Sequence, residues 1–211
     1  MKIAITGGIG SGKSAVAAVI RRSGYKVVSA DEAYRRISGR ADYLSVVKKL
    51  FPDAVKGEPP ALDRAVLAAE VFADGKKRAA LNELAHPLIM KEMFEEAKGE
   101  RVAFFEVPLL FEGGYEDRFD KVIVVMRDEA KRAESVCVRS GMSMEQAKAR
   151  MRAQVDYGAK DLTCCKTTAI SPRWNARRNA RCTFFSERIR VYKRAFLHKL
   201  VLWIRGVKNV L

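Results

Sequence analysis

The stretch Gly7-Gly8-Ile9-Gly10-Ser11-Gly12-Lys13-Ser14 decides the fold class of this chain. It fits the pattern G-x-x-x-x-G-K-[ST], in which the backbone amides of a glycine-rich loop bind the phosphates of a nucleotide. Lys2–Thr6 before it has the apolar composition of a short buried strand, and Ala15–Arg22 after it has apolar residues at helical spacing before Gly24. Strand, loop and helix in this order predict a nucleoside triphosphate site.

The residue types of this stretch, called the phosphate loop (Gly7–Ser14) below, have separate expected roles. Lys13 is expected to bring its charge to the β- and γ-phosphates and to be catalytic, and the Ser14 hydroxyl is expected to ligate Mg²⁺. We expect ATP to contact Gly8, Gly10, Ser11, Gly12, Lys13, Ser14 and Ala15. The competing interpretation is a glycine-rich turn that contains Lys-Ser by chance, which the flanking strand and helix disfavour.

Composition restricts the class of protein. A chain of 211 residues suits one α/β domain with insertions. No apolar run reaches the roughly 18 residues of a membrane span, and a core strand at the N-terminus argues against a signal peptide. The four cysteines lack the spacing of metal ligands or of a C-x-x-C pair, so a reducing cytoplasm is the simplest location. Nothing in the composition indicates an oligomeric state.

Three further apolar runs predict a parallel sheet buried on both faces. They are Lys26–Ser29, Val102–Glu106 and Lys121–Met126. Asp31 follows the first of them and is expected at the carboxyl edge of the sheet, where α/β proteins bind ligands. It is therefore a candidate base for a hydroxyl group or a candidate Mg²⁺ ligand, and a helix N-cap is the equally weighted alternative.

The region between the second and third strands is too long for a simple crossover. It predicts an inserted helical region that covers an acceptor substrate. We expect Asp74 to cap a helix that ends near Leu84, and His86-Pro87 to begin another that runs to about Ala97. In this interpretation His86 is a helix-boundary residue.

The segment 128–154 is rich in Arg and Lys and has helical patterning, with Ser143 as the expected N-cap of a second helix. Basic helices after the fourth strand of such a protein predict a lid that brings arginines to the transferred phosphoryl group. A solvated charged face is the alternative for any one of these arginines.

Several further motifs follow the phosphate loop in the order and approximate spacing of one known family. They are Asp31, Leu62-Asp63-Arg64, Val71-Phe72, His86-Pro87, Pro108-Leu109-Leu110-Phe111-Glu112 and Gln154. Together with Thr6–Ser14 they cover about residues 1–157. Through them the chain resembles the dephospho-coenzyme A kinases, in which ATP phosphorylates the 3′-hydroxyl of the ribose of dephospho-coenzyme A.

The resemblance implies a three-layer α/β/α phosphate-loop kinase fold, with ATP as donor, Mg²⁺ as cofactor and dephospho-coenzyme A as acceptor. It implies a core of residues 1–60 and 100–127, a coenzyme A-binding region of 61–99 and a lid of 128–155. It also implies roles for single residues: Asp31 as base and substrate contact, Arg64 and His86 as substrate contacts, and Arg139 and Arg150 as lid arginines. A nucleic acid is not expected as partner.

The chain also departs from the family. Ala15 stands where a Thr is common, Ser29 where an Asp is usual, and Ser135 where the lid usually has an Arg. Another phosphate-loop kinase, acting on nucleotides or on shikimate-like alcohols, is therefore the alternative enzyme.

Residues 158–211 form a divergent basic tail. From Asp161 onward the tail holds 12 Lys and Arg against Asp161 and Glu187, out of a net charge of +15 for the chain. Apolar residues at near-helical spacing after Ile189 allow a second class of function, binding to an anionic surface or a nucleic acid. Cys-Cys-Lys-Thr-Thr followed by Pro172 and an arginine cluster is a poor buried strand. We therefore expect no ordered fifth strand within 158–183, and a poorly ordered or misdocked chain after about residue 157.

The tail also lacks the family's continuation, which is a strand ending in Asn-Asn-Gly and a helix opening Leu-x-x-Leu. The codons that encode residues 166–175 permit Asn-Asn-Gly-x-Leu-x-x-Leu-Glu in a single shifted frame. We therefore infer a frameshift between Gln154 and Asp161, with a genuine addition as the alternative. Under the frameshift we expect the chain as written to bind ATP weakly and to show little kinase activity.

Overall fold

The computed structural model describes residues 1–155, Tyr157 and the backbone of residues 167–170. Two compact units are present, one made of Met1–Val27 and the chain from Glu100 onward, the other of Val28–Gly99. The strands are β1 (Lys2–Thr6), β2 (Lys26–Ser29), β3 (Val55–Lys56), β4 (Ala61–Leu62), β5 (Ala103–Glu106), β6 (Lys121–Val125) and β7 (Thr167–Ile170). The helices are α1 (Lys13–Arg22), α2 (Ala30–Ile37), α3 (Ala41–Leu50), α4 (Arg64–Ala73), α5 (Gly75–Glu96), α6 (Glu129–Ser140) and α7 (Met144–Arg152).

The first unit is built on a parallel sheet with the strand order β2-β5-β1-β6-β7. β1 is central and pairs in parallel with β5 on one side and with β6 on the other. Ile3, Ile5 and Ile123 are at most 1% exposed and pack in one cluster with Val16 and Ile20 of α1. The apolar runs therefore form strands buried beneath flanking helices, and the predicted α/β fold is confirmed.

The four strands predicted from apolar runs all form, and a fifth was missed. β7 pairs in parallel with β6, from Val122 beside Thr167 to Val125 beside Ile170. The expectation that no strand forms within 158–183 is therefore wrong at these four residues. That expectation was based on the flanking charged residues and Pro172. The short run Thr-Thr-Ala-Ile is itself rich in the β-branched residues that strands favour. The rest of the tail lies outside the described residues.

The second unit is helical apart from the antiparallel pair of β3 with β4. Its core contains Tyr43 and Val47 of α3, Phe51, Leu67 of α4 and Ala85 of α5, all buried. This unit begins at Val28, so α2 and α3 belong to the same compact body as α4 and α5.

α5 is one continuous helix through His86 and Pro87, so the predicted break there is wrong. The Asp74 cap is confirmed, since its carboxylate accepts hydrogen bonds from the amides of Lys76 and Lys77. A proline inside a helix removes one backbone hydrogen bond. Burial of Ala85, Met90 and Met93 along α5 keeps the helix continuous through that point. Among the described helices, none combines the length and apolar character needed to cross a membrane.

Candidate active site

The phosphate loop leaves the carboxyl end of β1 and enters α1 directly. Gly12 precedes α1 with φ 98°, a left-handed conformation that a residue with a Cβ adopts only with strain. The amide of Ser11 donates to the Gly8 carbonyl at 3.1 Å and closes the turn. No acidic side chain lies in the first turn of α1, so the partial positive charge of the helix N-terminus is available to an anion.

Lys13 lies over the loop that precedes it. Its ammonium donates to the carbonyl oxygens of Gly7 at 2.7 Å and of Gly8 at 3.1 Å. The side chain is half-buried, and its charge lies against the loop carbonyls. A cation in this place is suited to the oxygens of bound phosphates.

Ser14 makes a contact that the sequence analysis missed. Its hydroxyl donates to Glu106 Oε1 at 2.8 Å, and Glu106 is the last residue of β5. Hydroxyl and carboxylate oxygens are the ligands that Mg²⁺ prefers, and Mg²⁺ is usually held by one or two carboxylates together with substrate phosphates. The two side chains fit that ion. A carboxylate at the end of a predicted buried strand was the available sequence signal.

The described part of the chain offers no larger cation site, because it has no cluster of three or more His, Cys, Asp or Glu side chains placed to hold a metal.

The predicted acceptor-side residues all lie in the second unit. Asp31 is exposed in the first turn of α2, and Ser29 occupies the N-cap position, so the alternative that Asp31 is the cap is wrong. Arg64 is the first residue of α4 and donates to the Ser38 hydroxyl at 3.0 Å. His86 lies half-buried in the middle of α5, and this burial lowers the pKa of its imidazole.

The two helices expected in segment 128–154 form, and the roles of Arg139 and Arg150 stay predictions. α6 and α7, called the lid pair below, are joined at Gly141, and Ser143 begins α7 with a capping box in which Gln146 is the partner. Arg139 and Arg150, the expected lid arginines, are exposed. The guanidinium groups that contact the phosphate loop belong to Arg127 and Arg132.

Comparison with known proteins identifies the family. The family model of the dephospho-CoA kinases matches residues 1–165. The chain belongs to the dephospho-CoA kinase family. The dephospho-CoA kinase of Thermus thermophilus is 41% identical over 155 residues, which is 72% of this chain and 74% of that protein. The enzyme of Geobacillus kaustophilus is 37% identical over 163 residues, 73% of this chain and 80% of that one.

Two solved structures are similar to this chain in fold. A Thermus thermophilus crystal structure superposes with a TM-score of 0.75 at 32% identity, covering 98% of this chain and 96% of that one. The dephospho-CoA kinase from Campylobacter jejuni has a TM-score of 0.64 at 24% identity and full coverage of both chains, a likeness that shows the fold.

Proposed function

We propose that this chain transfers the γ-phosphoryl group of ATP to the 3′-hydroxyl of the ribose of dephospho-coenzyme A. The phosphate loop carries the proposal, because its turn, its helix N-terminus and the Lys13 ammonium together form a triphosphate site. Membership of the dephospho-CoA kinase family supports the acceptor. We also propose the cytoplasm as its location.

The chemistry requires one bond to form and one to break. The acceptor oxygen bonds to the γ-phosphorus, the bond from that phosphorus to the β,γ-bridging oxygen breaks, and ADP leaves. The carboxylate of Asp31 takes the proton of the acceptor hydroxyl, and Lys13 stabilises charge on the β- and γ-oxygens. Ser14 and Glu106 are the side chains that would hold Mg²⁺, and the ion would supply further positive charge for the phosphates.

The remaining assignments concern substrate contacts. The loop residues Gly8, Gly10, Ser11, Gly12 and Ala15 bind the ATP phosphates through the backbone. Arg64 and His86 bind the acceptor, and Arg139 and Arg150 approach the nucleotide when the lid pair closes. Each of these stays a prediction to be tested by substitution.

The test is product analysis by mass spectrometry after incubation with ATP, Mg²⁺ and dephospho-coenzyme A. The expected product is heavier than the acceptor by the mass of one added phosphoryl group, and co-elutes with coenzyme A. Nucleosides, nucleoside monophosphates and shikimate are run in parallel as acceptors. Preferential phosphorylation of any of them would overturn the proposed acceptor while retaining the kinase.

The second class of function, binding to an anionic surface or a nucleic acid, rests on tail residues outside the described part of the chain. No observation on the described residues favours it. Salt-dependent retention on DNA or anionic vesicles, lost on truncation at residue 160, would support it.

A further inference from the structure

Ile9, at the crest of the phosphate loop, has both of its backbone polar groups bonded to the segment that follows β6. Its amide donates to Gln154 Oε1 at 2.6 Å, and its carbonyl oxygen accepts from Arg132 Nε at 3.0 Å. Gln154 lies 145 residues away along the chain, just beyond the end of α7. The same residue is therefore held from two sides by one distant segment.

The side chain of Ile9 is engaged as well. It packs against the buried core of the lid pair, which is formed by Ala133 and Val136 of α6 and by Ala147 and Met151 of α7. Ile9 thus fills a position in the hydrophobic core between two helices while its backbone belongs to the phosphate loop. Any shift of the lid pair would therefore either break this packing or move Ile9 and the phosphate loop with it.

Close approach of the Arg132 guanidinium depends on the glycine before Ile9. A Cβ built on Gly8 would lie 2.1 Å from Arg132 Nη2, so the arginine occupies space that any larger residue would take. Arg127 adds a second, longer contact, with Nη1 3.5 Å from the Gly10 carbonyl oxygen and 2.8 Å from the Ser135 hydroxyl. Two guanidinium groups therefore face the carbonyl side of the loop.

The residues just after Gln154 are bonded to the loop that follows β5. The amide of Val155 donates to Glu112 Oε1 at 3.2 Å, and the buried Tyr157 donates its hydroxyl to the Pro108 carbonyl at 3.3 Å. Glu112 and Pro108 lie in the loop that follows β5, so the residues just after Gln154 are tied to the sheet. This attachment presents the Gln154 side chain to Ile9.

We propose that Gln154 and Arg132 are positioning residues that hold the Ile9 peptide in its phosphate-binding conformation. A carbonyl that accepts a bond from a guanidinium polarises its own peptide, so the following Gly10 amide becomes a better donor to phosphate. If the loop is already ordered at Ile9 before the nucleotide binds, binding no longer carries the entropy cost of ordering it. Packing of the lid pair against the loop then strengthens the binding of ATP. This inference rests on the proposed function.

The experiment compares substitutions of similar size that remove these two bonds with a matched control, a glutamine on α7. Gln154→Met removes the acceptor for Ile9, and Arg132→Met removes the donor, whereas Arg132→Lys keeps a positive charge and a donor. Gln146→Met is the control, because Gln146 accepts from the Ser143 amide in the capping box of α7 and does not take part in the Ile9 contacts. For each variant the Kd of MgATP, KM, kcat and Tm are measured.

We expect Gln154→Met and Arg132→Met to weaken ATP binding about tenfold or more, since the loop would then have to be ordered when the nucleotide binds. Arg132→Lys should retain more affinity than Arg132→Met. Gln146→Met should lower Tm and leave the Kd within about twofold. The loss should appear in the Kd and KM for ATP more than in kcat.

The inference is overturned if Gln154→Met and Arg132→Met lower Tm like the control while the Kd for ATP stays unchanged. The contacts would then only tether the helices. If the unaltered chain fails to bind ATP, the proposed function falls and this inference with it. If the unaltered chain binds ATP and the two variants bind it with the same Kd, this inference alone is overturned.

Discussion

At the scale of single residues, Lys13 carries the most direct prediction. We expect Lys13→Ala to lower kcat for phosphoryl transfer on the order of 100- to 1,000-fold or more, because it removes the charge nearest the β- and γ-oxygens. Steady-state kinetics measure this, and the thermal transition should stay close to that of the unaltered chain. Lys48→Ala, an exposed change on α3, is the control. Most of kcat retained by Lys13→Ala would contradict the phosphate-loop assignment.

Asp31 is expected to act on the acceptor instead of on the nucleotide. Asp31→Asn should lower kcat by about 10²- to 10⁴-fold and change the KM for ATP far less, because a general base contributes mainly in the transition state. The neighbouring exposed Glu32 gives the matched change Glu32→Gln, which should have little effect. An unaltered kcat in Asp31→Asn would remove Asp31 from the mechanism.

His86 gives a prediction about pH. Burial lowers the pKa of its imidazole below the ordinary 6.5, so the unfolded state binds a proton more readily than the folded state. The free energy of unfolding should therefore fall as the pH falls from about 6.5 through the lower folded pKa. Denaturant unfolding at several pH values measures this dependence. His86→Gln should flatten it in that interval, and an equally steep dependence in the variant would assign it to other groups.

At the scale of secondary-structure elements, α5 shows how capping and packing combine. Its start at Asp74 follows a local rule, whereas its continuation past Pro87 does not. Proline in a helix interior costs about 3 kcal/mol, and the apolar face of the helix offsets this cost by burying Ala85, Met90 and Met93. Local signals therefore predict where this helix begins better than where it ends.

The Asp74 cap can be tested directly. Asp74→Ala should lower the free energy of unfolding by about 0.5–2 kcal/mol, because two amides of the first turn lose their acceptor. Asp74→Asn keeps an oxygen acceptor and should lose much less. Urea unfolding of the three proteins measures the difference. Equal stability of Asp74→Ala and the unaltered chain would mean that solvent satisfies those amides as well as the carboxylate does.

At the scale of the whole molecule, the tail after residue 157 carries the main prediction. β7 shows that four tail residues join the sheet. These residues lie downstream of the frameshift inferred between Gln154 and Asp161, so the pairing does not test that hypothesis. The family model, which ends at residue 165, is compatible with the composition change near residue 160. The frameshift itself is a statement about the coding DNA and stays a prediction.

We expect the chain with the shifted frame restored to bind ATP more tightly and to transfer phosphate faster than the chain as written. The reason is that a turn following the last strand is expected to close on the adenine, and the family's Asn-Asn-Gly suits such a turn. Resequencing codons 154–161 tests the frameshift directly. The Kd for ATP and the rate of phosphoryl transfer are then measured for both proteins. Equal activity, with a cooperative unfolding transition in the chain as written, would make the tail a genuine addition.

The sequence by itself determined the features that depend on neighbouring residues. The phosphate loop between β1 and α1, the apolar strands, the Asp74 and Ser143 caps and the family all follow from short patterns. Their physical basis is local, because the spacing of apolar residues, the residue types of turns and the capping of helices all act within a few residues.

Only the tertiary structure decided which distant groups meet. Ser14 bonds to Glu106 and Ile9 to Gln154 across 92 and 145 residues of chain, and neither contact follows from a local pattern. It also brought Arg127 and Arg132 to the phosphate loop, a contact that was not predicted from the sequence. It placed β7 beside β6 and carried α5 through Pro87. Such outcomes depend on sheet order and on the packing of helices, where the burial of many side chains outweighs the preference of any one residue.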